Sequence, residues 1–315
     1  MKKRLYYLDF LRIIAIFFIL NFHLDIVYPQ NLQLLAFGGD IGNDIFFFLA
    51  GYLAYESISN KSCKQFISFY SKKLLKIMPI YLFFLMLPYI VPEIAKSKYW
   101  FVSAILIFYI GDYLALRIPR MLHIPIFITL IVFHLYVDGD FAERYIIGFI
   151  ASLFGCYLKE LEGNKIIYSD NKSSRLIKWL ITITVFVGFA ICKKNYTQYS
   201  DARVIHLLIG IFLISFVVFL FLLLGSYQEI INKVCESSPG IAKCIATVSM
   251  SSIYIYLVQI CGHRGIIETL NEVCSFPLSY IISASIIVIL GVILMETDNG
   301  IRIIIRNVIN HFRKG

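Results

Sequence analysis

Long apolar runs separated by short polar segments make up most of the chain, from the N-terminal region to about residue 296. A helix needs about 20 apolar residues to cross a bilayer, and most of these runs approach that length. The pattern therefore predicts an all-α fold, a polytopic membrane bundle of about ten transmembrane helices. The predicted spans are residues 10–28, 41–58, 74–92, 99–116, 121–137, 145–158, 176–192, 204–224, 242–262 and 276–296.

The composition of the chain agrees with a membrane protein. Hydrophobic residues make up 59% of the 315 positions and charged residues only 16%, which excludes an ordinary soluble domain. We expect a single transmembrane domain over residues 1–296. Residues 297–315 combine isoleucines with basic side chains, and they predict an amphipathic cytoplasmic tail that contacts anionic membrane lipid.

Basic side chains are distributed unevenly between the two sides of the predicted bundle. With a cytoplasmic N-terminus, 21 lysines and arginines fall on the cytoplasmic side and 7 on the outer side. The positive-inside rule then places both termini in the cytoplasm. Membrane topology therefore explains the net charge of +9, and the charge indicates no nucleic-acid partner.

Two ionisable residues, Arg12 and His23, lie inside the first apolar run. Such residues are rare in spanning helices and usually face a polar cavity. Eleven residues of helix turn through about 1,100° and rise about 16 Å, so both side chains lie on one face, about half a bilayer apart. Histidine is the side chain whose ordinary pKa lies near neutral pH, so His23 is the natural proton acceptor in this helix.

Two carboxylates accompany this pair in the sequence. Asp9 lies three residues before Arg12, where it can reach the guanidinium on the same helix face and hold it in position. Asp44 follows a glycine-rich stretch at residues 38–42 and lies at the outer end of the second predicted span. This position is on the same side of the membrane as His23, where a carboxylate can orient the imidazole and stabilise its protonated form.

A lysine cluster marks the cytoplasmic start of the third predicted span. Lys72, Lys73 and Lys76 have the spacing i, i+1 and i+4, which brings their charges together at one helix end. The arrangement suits the phosphates of a nucleotide-like molecule, and it suits lipid headgroups equally well.

Each of these residues also has a purely structural explanation. Arg12 can extend its charge to the interface, and His23 can be a hydrogen-bonded core residue. Asp44 can be a carboxylate favoured by the dipole at a helix N-terminus. Sequence spacing alone does not decide between these explanations and a functional site.

The seven cysteines form no CxxC motif and no Cys/His spacing typical of zinc, so we expect no metal site. Cys261 and Cys274 flank the last predicted outer loop. They could pair there if that side is oxidising, and packing is the alternative role.

Taken together, these segments resemble the acyltransferase-3 family of integral membrane acyltransferases, which includes bacterial surface-polysaccharide O-acetyltransferases. Arg12 and His23 match the R-x10-H signature of its first helix. Residues 42–52 are similar to its Gly-Asp-Phe-Phe segment, and residues 69–81 to its basic cluster followed by proline. Two shorter matches are residues 99–101 and 252–259.

The resemblance implies an enzyme of the bacterial cytoplasmic (inner) membrane that transfers an acyl group, usually acetyl. The donor is acyl-CoA (acetyl-CoA) on the cytoplasmic side, and the acceptor is a hydroxyl of a surface polysaccharide or lipid-linked oligosaccharide. We expect His23 to act as general base or transient acyl carrier, with Asp44 orienting it. The expected CoA-binding residues are Arg12, Lys72, Lys73 and Lys76.

The sequence departs from the family pattern at several positions. Ala50 replaces the usual serine, and the three lysines stand where arginine is more usual. Because lysine is a point charge rather than a fork, we expect it to hold phosphates less tightly. Lys98 and Gln259 occupy positions that are often histidine, which leaves His23 as the histidine that matches a family motif.

Two other functions fit part of the pattern. Intramembrane Arg, His and Asp residues also mark transport pathways, so a transporter or flippase for a lipid-linked sugar is the main alternative. A non-enzymatic membrane partner that retains the fold is the second, although the presence of Arg12, His23 and Asp44 disfavours it.

Overall fold

The computed structural model describes residues 4–90, 100–136, 140–162, 172–196, 203–260 and 264–312. Helix accounts for 91% of the structure, and no strand occurs in these ranges, which confirms the all-α prediction. The helices are α1 (Tyr6–His23), α2 (Gly39–Ile58), α3 (Cys63–Ile90), α4 (Trp100–Ala115), α5 (His123–Tyr136), α6 (Asp140–Glu162), α7 (Lys172–Tyr196), α8 (Arg203–Ser226), α9 (Gln228–Ser237), α10 (Pro239–Met250), α11 (Ser252–Ile260), α12 (Arg264–Val273) and α13 (Leu278–Phe312).

Several helical segments are long and apolar enough to cross a membrane. In the part of the chain that the structure describes, five meet this condition, or six if the pair α10 and α11, bent by 53°, forms one broken span. The five are Tyr6–His23, Gln30–Ile58, Lys172–Asn195, Val204–Ser226 and Leu278–Asn307. These helices agree with a membrane protein, and the ten-span topology with cytoplasmic termini stays a prediction.

Two predicted helix boundaries differ from the observed ones. Helix α1 ends at His23 rather than continuing to residue 28, because Asp25 and the following Pro29 favour a turn. The Asp25 carboxylate accepts a hydrogen bond from the backbone N–H of Ile26 at 2.9 Å and stabilises a short 3-10 helix, Asp25–Val27.

Helix α3 begins at Cys63, before the third predicted span, which starts at residue 74. Its first turn is closed by a capping box. Ser62 accepts a hydrogen bond from the backbone N–H of Gln65, and the Gln65 side chain accepts one from the backbone N–H of Ser62. The lysine cluster therefore lies within this helix, and its position at the cytoplasmic start of a span stays a prediction.

The contacts within the chain define two units. The first unit contains Met1–Leu11, Asp40–Leu75 and Trp100–Ser238. The second contains Arg12–Gly39, Lys76–Tyr99 and Pro239–Gly315. The predicted division into one domain over residues 1–296 and a cytoplasmic tail stays a prediction.

In the first unit, α2 and α6 pack so closely that their backbones touch at two glycines. A Cβ atom on Gly51 of α2 would lie 2.0 Å from the carbonyl oxygen of Ser152, and one on Gly155 of α6 would lie 2.0 Å from that of Phe48. Small residues permit this approach where helices pack within a membrane. Glycine at both positions is therefore a packing requirement of this helix pair.

A buried polar cluster joins α4 and α6 beside this contact. Asp112 of α4 is fully buried and accepts a hydrogen bond from the Ser152 hydroxyl at 2.7 Å. One turn further along α6, the thiol of Cys156 donates to the carbonyl oxygen of Gly51 at 3.3 Å. The first of these bonds satisfies one oxygen of the Asp112 carboxyl, while its Oδ1 atom has no hydrogen-bond partner among the described residues. The cluster therefore fixes the relative positions of three helices.

In the second unit, Asn21 holds the loop between α1 and α2. Its side-chain amide donates to the carbonyl oxygens of Leu35 and Phe37 at 2.6 and 2.9 Å. Its carbonyl oxygen accepts hydrogen bonds from the hydroxyls of Tyr28 and Tyr280. The buried Asn21 side chain thus forms hydrogen bonds with groups of the loop and with Tyr280 of α13. Asn21 lies two residues before His23.

Replacing Asn21 with leucine should destabilise the protein by about 1–3 kcal/mol, because it removes the hydrogen bonds that this buried amide makes with the loop and with Tyr280. The thermal unfolding midpoint of the detergent-purified protein measures this effect. Asn31→Leu is the matched control, since Asn31 is an exposed residue of the same loop. An Asn21→Leu midpoint equal to that of the control would contradict this role.

Candidate functional site

Helix α1 carries both Arg12 and His23, as the sequence predicts. Arg12 is the seventh residue of the helix, and His23 is its last. Both side chains are partly buried, and the helix rises about 16 Å between them. One helix thus holds a permanent cation and an imidazole at a fixed separation along its axis.

The Arg12 guanidinium is positioned by Ser249 of α10. Its Nη1 donates to the Ser249 hydroxyl at 3.2 Å, and Ser249 is 1% exposed. The bond joins residues 237 positions apart. Sequence reasoning missed Ser249 because a serine in an apolar helix carries no signal for its partner. The hydrogen bond restricts the directions in which the guanidinium can present its donors.

His23 stands beside an aromatic ring and a tight chain reversal. Its imidazole makes an edge-to-face contact with Phe22, with ring centroids 5.3 Å apart. A Cβ atom on Gly39 would come within 2.8 Å of the Phe22 ring, and Gly38 has a φ of +106°, which favours glycine. The predicted glycine-rich stretch therefore allows the chain leading into α2 to pack against the end of α1.

Asp44 lies in the first unit, within α2, and is 4% exposed. Its Oδ2 atom has no hydrogen-bond partner among the described residues. One turn earlier, Asp40 forms ion pairs with Lys193 at 2.9 Å and Arg144 at 3.5 Å. Since His23 belongs to the other unit, its orientation by Asp44 stays a prediction.

The three lysines lie along α3 and differ in their surroundings. Lys72 and Lys76 are exposed. The Lys73 ammonium lies over the rings of Phe69 and Tyr109, at 5.4 and 5.6 Å from their centroids. Such cation–π contacts hold a charged side chain in place without neutralising it. Lys72 and Lys76 are the members of the cluster best exposed to a soluble anion.

The predicted Asp9–Arg12 ion pair is a further expectation about α1. In the first unit, Asp9 is buried and accepts a hydrogen bond from Nε of Arg4 at 2.6 Å. This hydrogen bond raises the pKa of the Arg4 guanidinium above its ordinary value. Arg4 is a partner that the sequence reasoning did not consider, and the Asp9–Arg12 pair stays a prediction.

The late motif at residues 252–259 lies in α11 of the second unit. Tyr254 donates its hydroxyl hydrogen bond to Asp298 of α13 at 2.6 Å. Arg302 also donates to Asp298, and its Nη2 reaches the carbonyl oxygen of Lys76 at 2.7 Å. Gln259, which replaces the usual histidine, is 1% exposed. Asp298 and Arg302 were not predicted, although an acidic residue four positions before an arginine is a recognisable helix pair.

No group of three His, Cys, Asp or Glu side chains is arranged to hold a metal ion within the described ranges. The possible pairing of Cys261 with Cys274 lies outside the described residues, because Cys261 is not among them.

Comparison with known proteins identifies the family of this chain. No curated protein and no solved structure matches the chain. A family model described as an acyltransferase domain matches residues 5–296, which include nearly all of the described helices. The match agrees with the all-helical fold, the apolar helices and the motifs of the first 110 residues. The chain therefore belongs to the acyltransferase-3 family and is a membrane acyltransferase.

Proposed function

We propose that this protein transfers an acyl group, acetyl in the first instance, from acyl-CoA to a hydroxyl of a surface glycan or its lipid-linked precursor. The donor binds on the cytoplasmic side of the bacterial inner membrane, and the acceptor binds at the outer side. Ten spans with both termini in the cytoplasm complete the proposed topology.

The arrangement of Arg12 and His23 on α1 is the observation that carries this proposal. A transfer across the membrane needs an anion-binding group on the donor side and a base at greater depth. A rigid helix that separates the two by about 16 Å supplies both. Lipid anchoring alone would explain the arginine and would leave the histidine without a role.

His23 acts on the acceptor hydroxyl in this mechanism. Its neutral imidazole takes the hydroxyl proton while the hydroxyl oxygen attacks the thioester carbonyl. The C–S bond then breaks, and the CoA thiolate leaves and takes up a proton. The products are an ester and free CoA. In the variant with a covalent intermediate, His23 first carries the acyl group and then passes it to the hydroxyl.

Basic residues hold the donor in this proposal. CoA carries several phosphate charges, which guanidinium and ammonium groups bind through charge-assisted hydrogen bonds. Arg12, Lys72, Lys73 and Lys76 are the residues assigned to this task. The exposure of Lys72 and Lys76 and the fixed position of Lys73 support the assignment.

Transfer from a labelled donor tests the proposed function directly. Membranes that contain the protein are incubated with radiolabelled acetyl-CoA and compared with membranes that lack it, in cells that make their native surface glycan. Label in a glycan or lipid-linked sugar is the expected result. If neither acetyl-CoA nor a longer acyl-CoA donates label, the enzyme proposal fails and the transporter or flippase becomes the better explanation.

Replacing Lys72 and Lys76 together with glutamine should raise the KM for acetyl-CoA about tenfold, since an exposed ion pair contributes up to about 1 kcal/mol. The kcat value should change little, because these side chains contact the donor away from the thioester. Initial rates at varied acetyl-CoA measure both quantities.

Lys64→Gln is the matched control for this pair, because Lys64 is an exposed lysine on the same helix. Raising the salt concentration should increase the KM of the unchanged protein and have less effect on the double variant. Equal KM values for the control and the double variant would remove the lysines from the donor site.

A further inference from the structure

A charged cluster in the first unit has no part in the mechanism described above. Asp40, in the first turn of α2, forms ion pairs with Lys193 of α7 and Arg144 of α6. The side chains of Lys193 and Arg144 are 40% and 39% exposed. Three helices thus bring two cations to one carboxylate, and each cation keeps a face accessible to a ligand.

Asp44 adds a hydrogen-bond acceptor to this cluster. It lies one turn after Asp40 on the same side of α2 and interacts electrostatically with both Asp40 and Arg144. Its side chain is 4% exposed, and Oδ2 has no hydrogen-bond partner among the described residues. Buried carboxylate oxygens are normally hydrogen-bonded, so this atom indicates a donor that a ligand would supply.

Aromatic side chains lie next to the same charges. The Arg144 guanidinium lies 5.9 Å from the centroid of the Trp100 ring, and the Trp100 and Tyr145 rings are 5.7 Å apart. The hydroxyl of Ser103 donates to the carbonyl oxygen of Trp100 at 2.7 Å. The hydroxyl oxygens of Ser103 and Tyr145 lie 3.2 Å apart. The indole is thereby placed as a flat apolar surface beside Arg144, which joins it to the charged cluster.

We propose that this cluster binds a pyranose ring of the acceptor, with Asp44 accepting a hydrogen bond from a sugar hydroxyl and Arg144 and Lys193 donating to sugar oxygens. Trp100 and Tyr145 cover the apolar C–H face of the ring. The proposal rests on the proposed function, because it assigns the acceptor of that reaction to a place and a chemical class.

The charges of the cluster favour a sugar over a small anion. Asp40 pairs with both cations, and the carboxyl of Asp44 lies one turn away, so the site presents hydrogen-bond acceptors as well as donors. An anion such as phosphate would gain from Arg144 and Lys193 and would be repelled by Asp40. A pyranose both donates and accepts through its hydroxyls, and its ring also uses the aromatic surface.

Fluorescence of Trp100 measures binding without requiring any transfer. The chain has two tryptophans, Trp100 and Trp179. The Trp179→Phe protein therefore reports on Trp100 alone. Methyl pyranosides and N-acetylhexosamines are titrated into this purified protein, and inorganic phosphate is titrated separately. We expect a saturable change with at least one pyranoside and none with phosphate.

In the same background, Arg144→Gln and Lys193→Gln should each weaken sugar binding about tenfold, the size of a lost charge-assisted hydrogen bond. Arg120→Gln and Lys194→Gln are the matched controls. Arg120 belongs to the same unit and pairs with Glu160, and Lys194 is the exposed neighbour of Lys193 on α7. Gel filtration of each variant shows that the protein remains folded, and Lys193→Gln tests the site should Arg144→Gln not fold.

The outcomes separate this site from the proposed reaction. Saturable sugar binding that Arg144→Gln or Lys193→Gln weakens supports the site, even if no acyl transfer is found. No change with any pyranoside, a change with phosphate only, or equal affinities in variants and controls overturns it. Where transfer is measured, Arg144→Gln should raise the KM for the glycan and leave the KM for acetyl-CoA unchanged.

Discussion

Replacing His23 with alanine is expected to lower acyl transfer from acetyl-CoA by about 10²–10⁴-fold, the contribution typical of a general acid–base group. The loss should appear mainly in kcat, since the imidazole acts on the reacting proton rather than on CoA. Radiolabel transferred to glycan by isolated membranes measures it. Protein amounts are matched by gel filtration of the detergent-extracted chain.

His206→Ala is the control for this experiment. His206 is a partly buried histidine of α8 that matches no family motif, and its loss should leave the transfer rate within about twofold of the unchanged protein. A His23→Ala variant that retains full activity would remove His23 from the mechanism. Glutamine at position 23 should be as inactive as alanine, because an amide does not accept the hydroxyl proton.

The same variant distinguishes the two roles open to His23. Labelled acetyl-CoA is added to purified protein without an acceptor, and the protein is then isolated. Label bound to the unchanged protein and absent from His23→Ala indicates a covalent acyl intermediate. Unlabelled protein together with normal transfer indicates that His23 acts only as a base.

The sequence predicts contacts between residues that are close together along the chain better than contacts between residues that are far apart. Arg12 and His23 were predictable because both lie on one helix, whose periodicity fixes their relative positions. The start of α3 was equally readable, since Ser62 and Gln65 have the spacing of a capping box. The apolar pattern that predicts the span over residues 74–92 carries no information on where the helix itself begins.

Long-range partners could not be predicted in the same way. The bond from Arg12 to Ser249 and the one from Tyr254 to Asp298 join residues on different helices. Such pairs are selected by tertiary packing, which no local pattern in a sequence encodes. Asp112 is an intermediate case, because an acidic residue in an apolar run does indicate a buried role, while Ser152 gives no such signal.

The ten-span topology stays a prediction for a physical reason. An apolar run predicts a helix, but it does not fix where that helix lies relative to a membrane.

Replacing Gly51 with alanine is expected to destabilise the protein strongly, because the new Cβ atom would lie 2.0 Å from the carbonyl oxygen of Ser152 and 2.7 Å from its carbonyl carbon. These are backbone atoms, so the clash cannot be relieved by rotating a side chain. Forcing α2 and α6 apart would also move Ser152 relative to Asp112 and weaken their hydrogen bond. Overpacking of this kind costs about 3 kcal/mol, which lowers the unfolding midpoint by about 5–10 °C.

Gly240→Ala and Gly300→Ala are matched controls, since a Cβ atom at either helical position meets no atom within 4 Å. Both should leave the midpoint unchanged or raise it slightly, because alanine favours a helix by about 1 kcal/mol over glycine. Gly155→Ala tests the contact from the other helix, where the Cβ atom would lie 2.0 Å from the carbonyl oxygen of Phe48. If Gly51→Ala and Gly155→Ala unfold at the temperature of the controls, α2 and α6 do not pack backbone to backbone. If both unfold at a lower temperature than the controls, Gly51 of the family motif at residues 42–52 is required for packing. This requirement is independent of any part that Asp44 takes in catalysis.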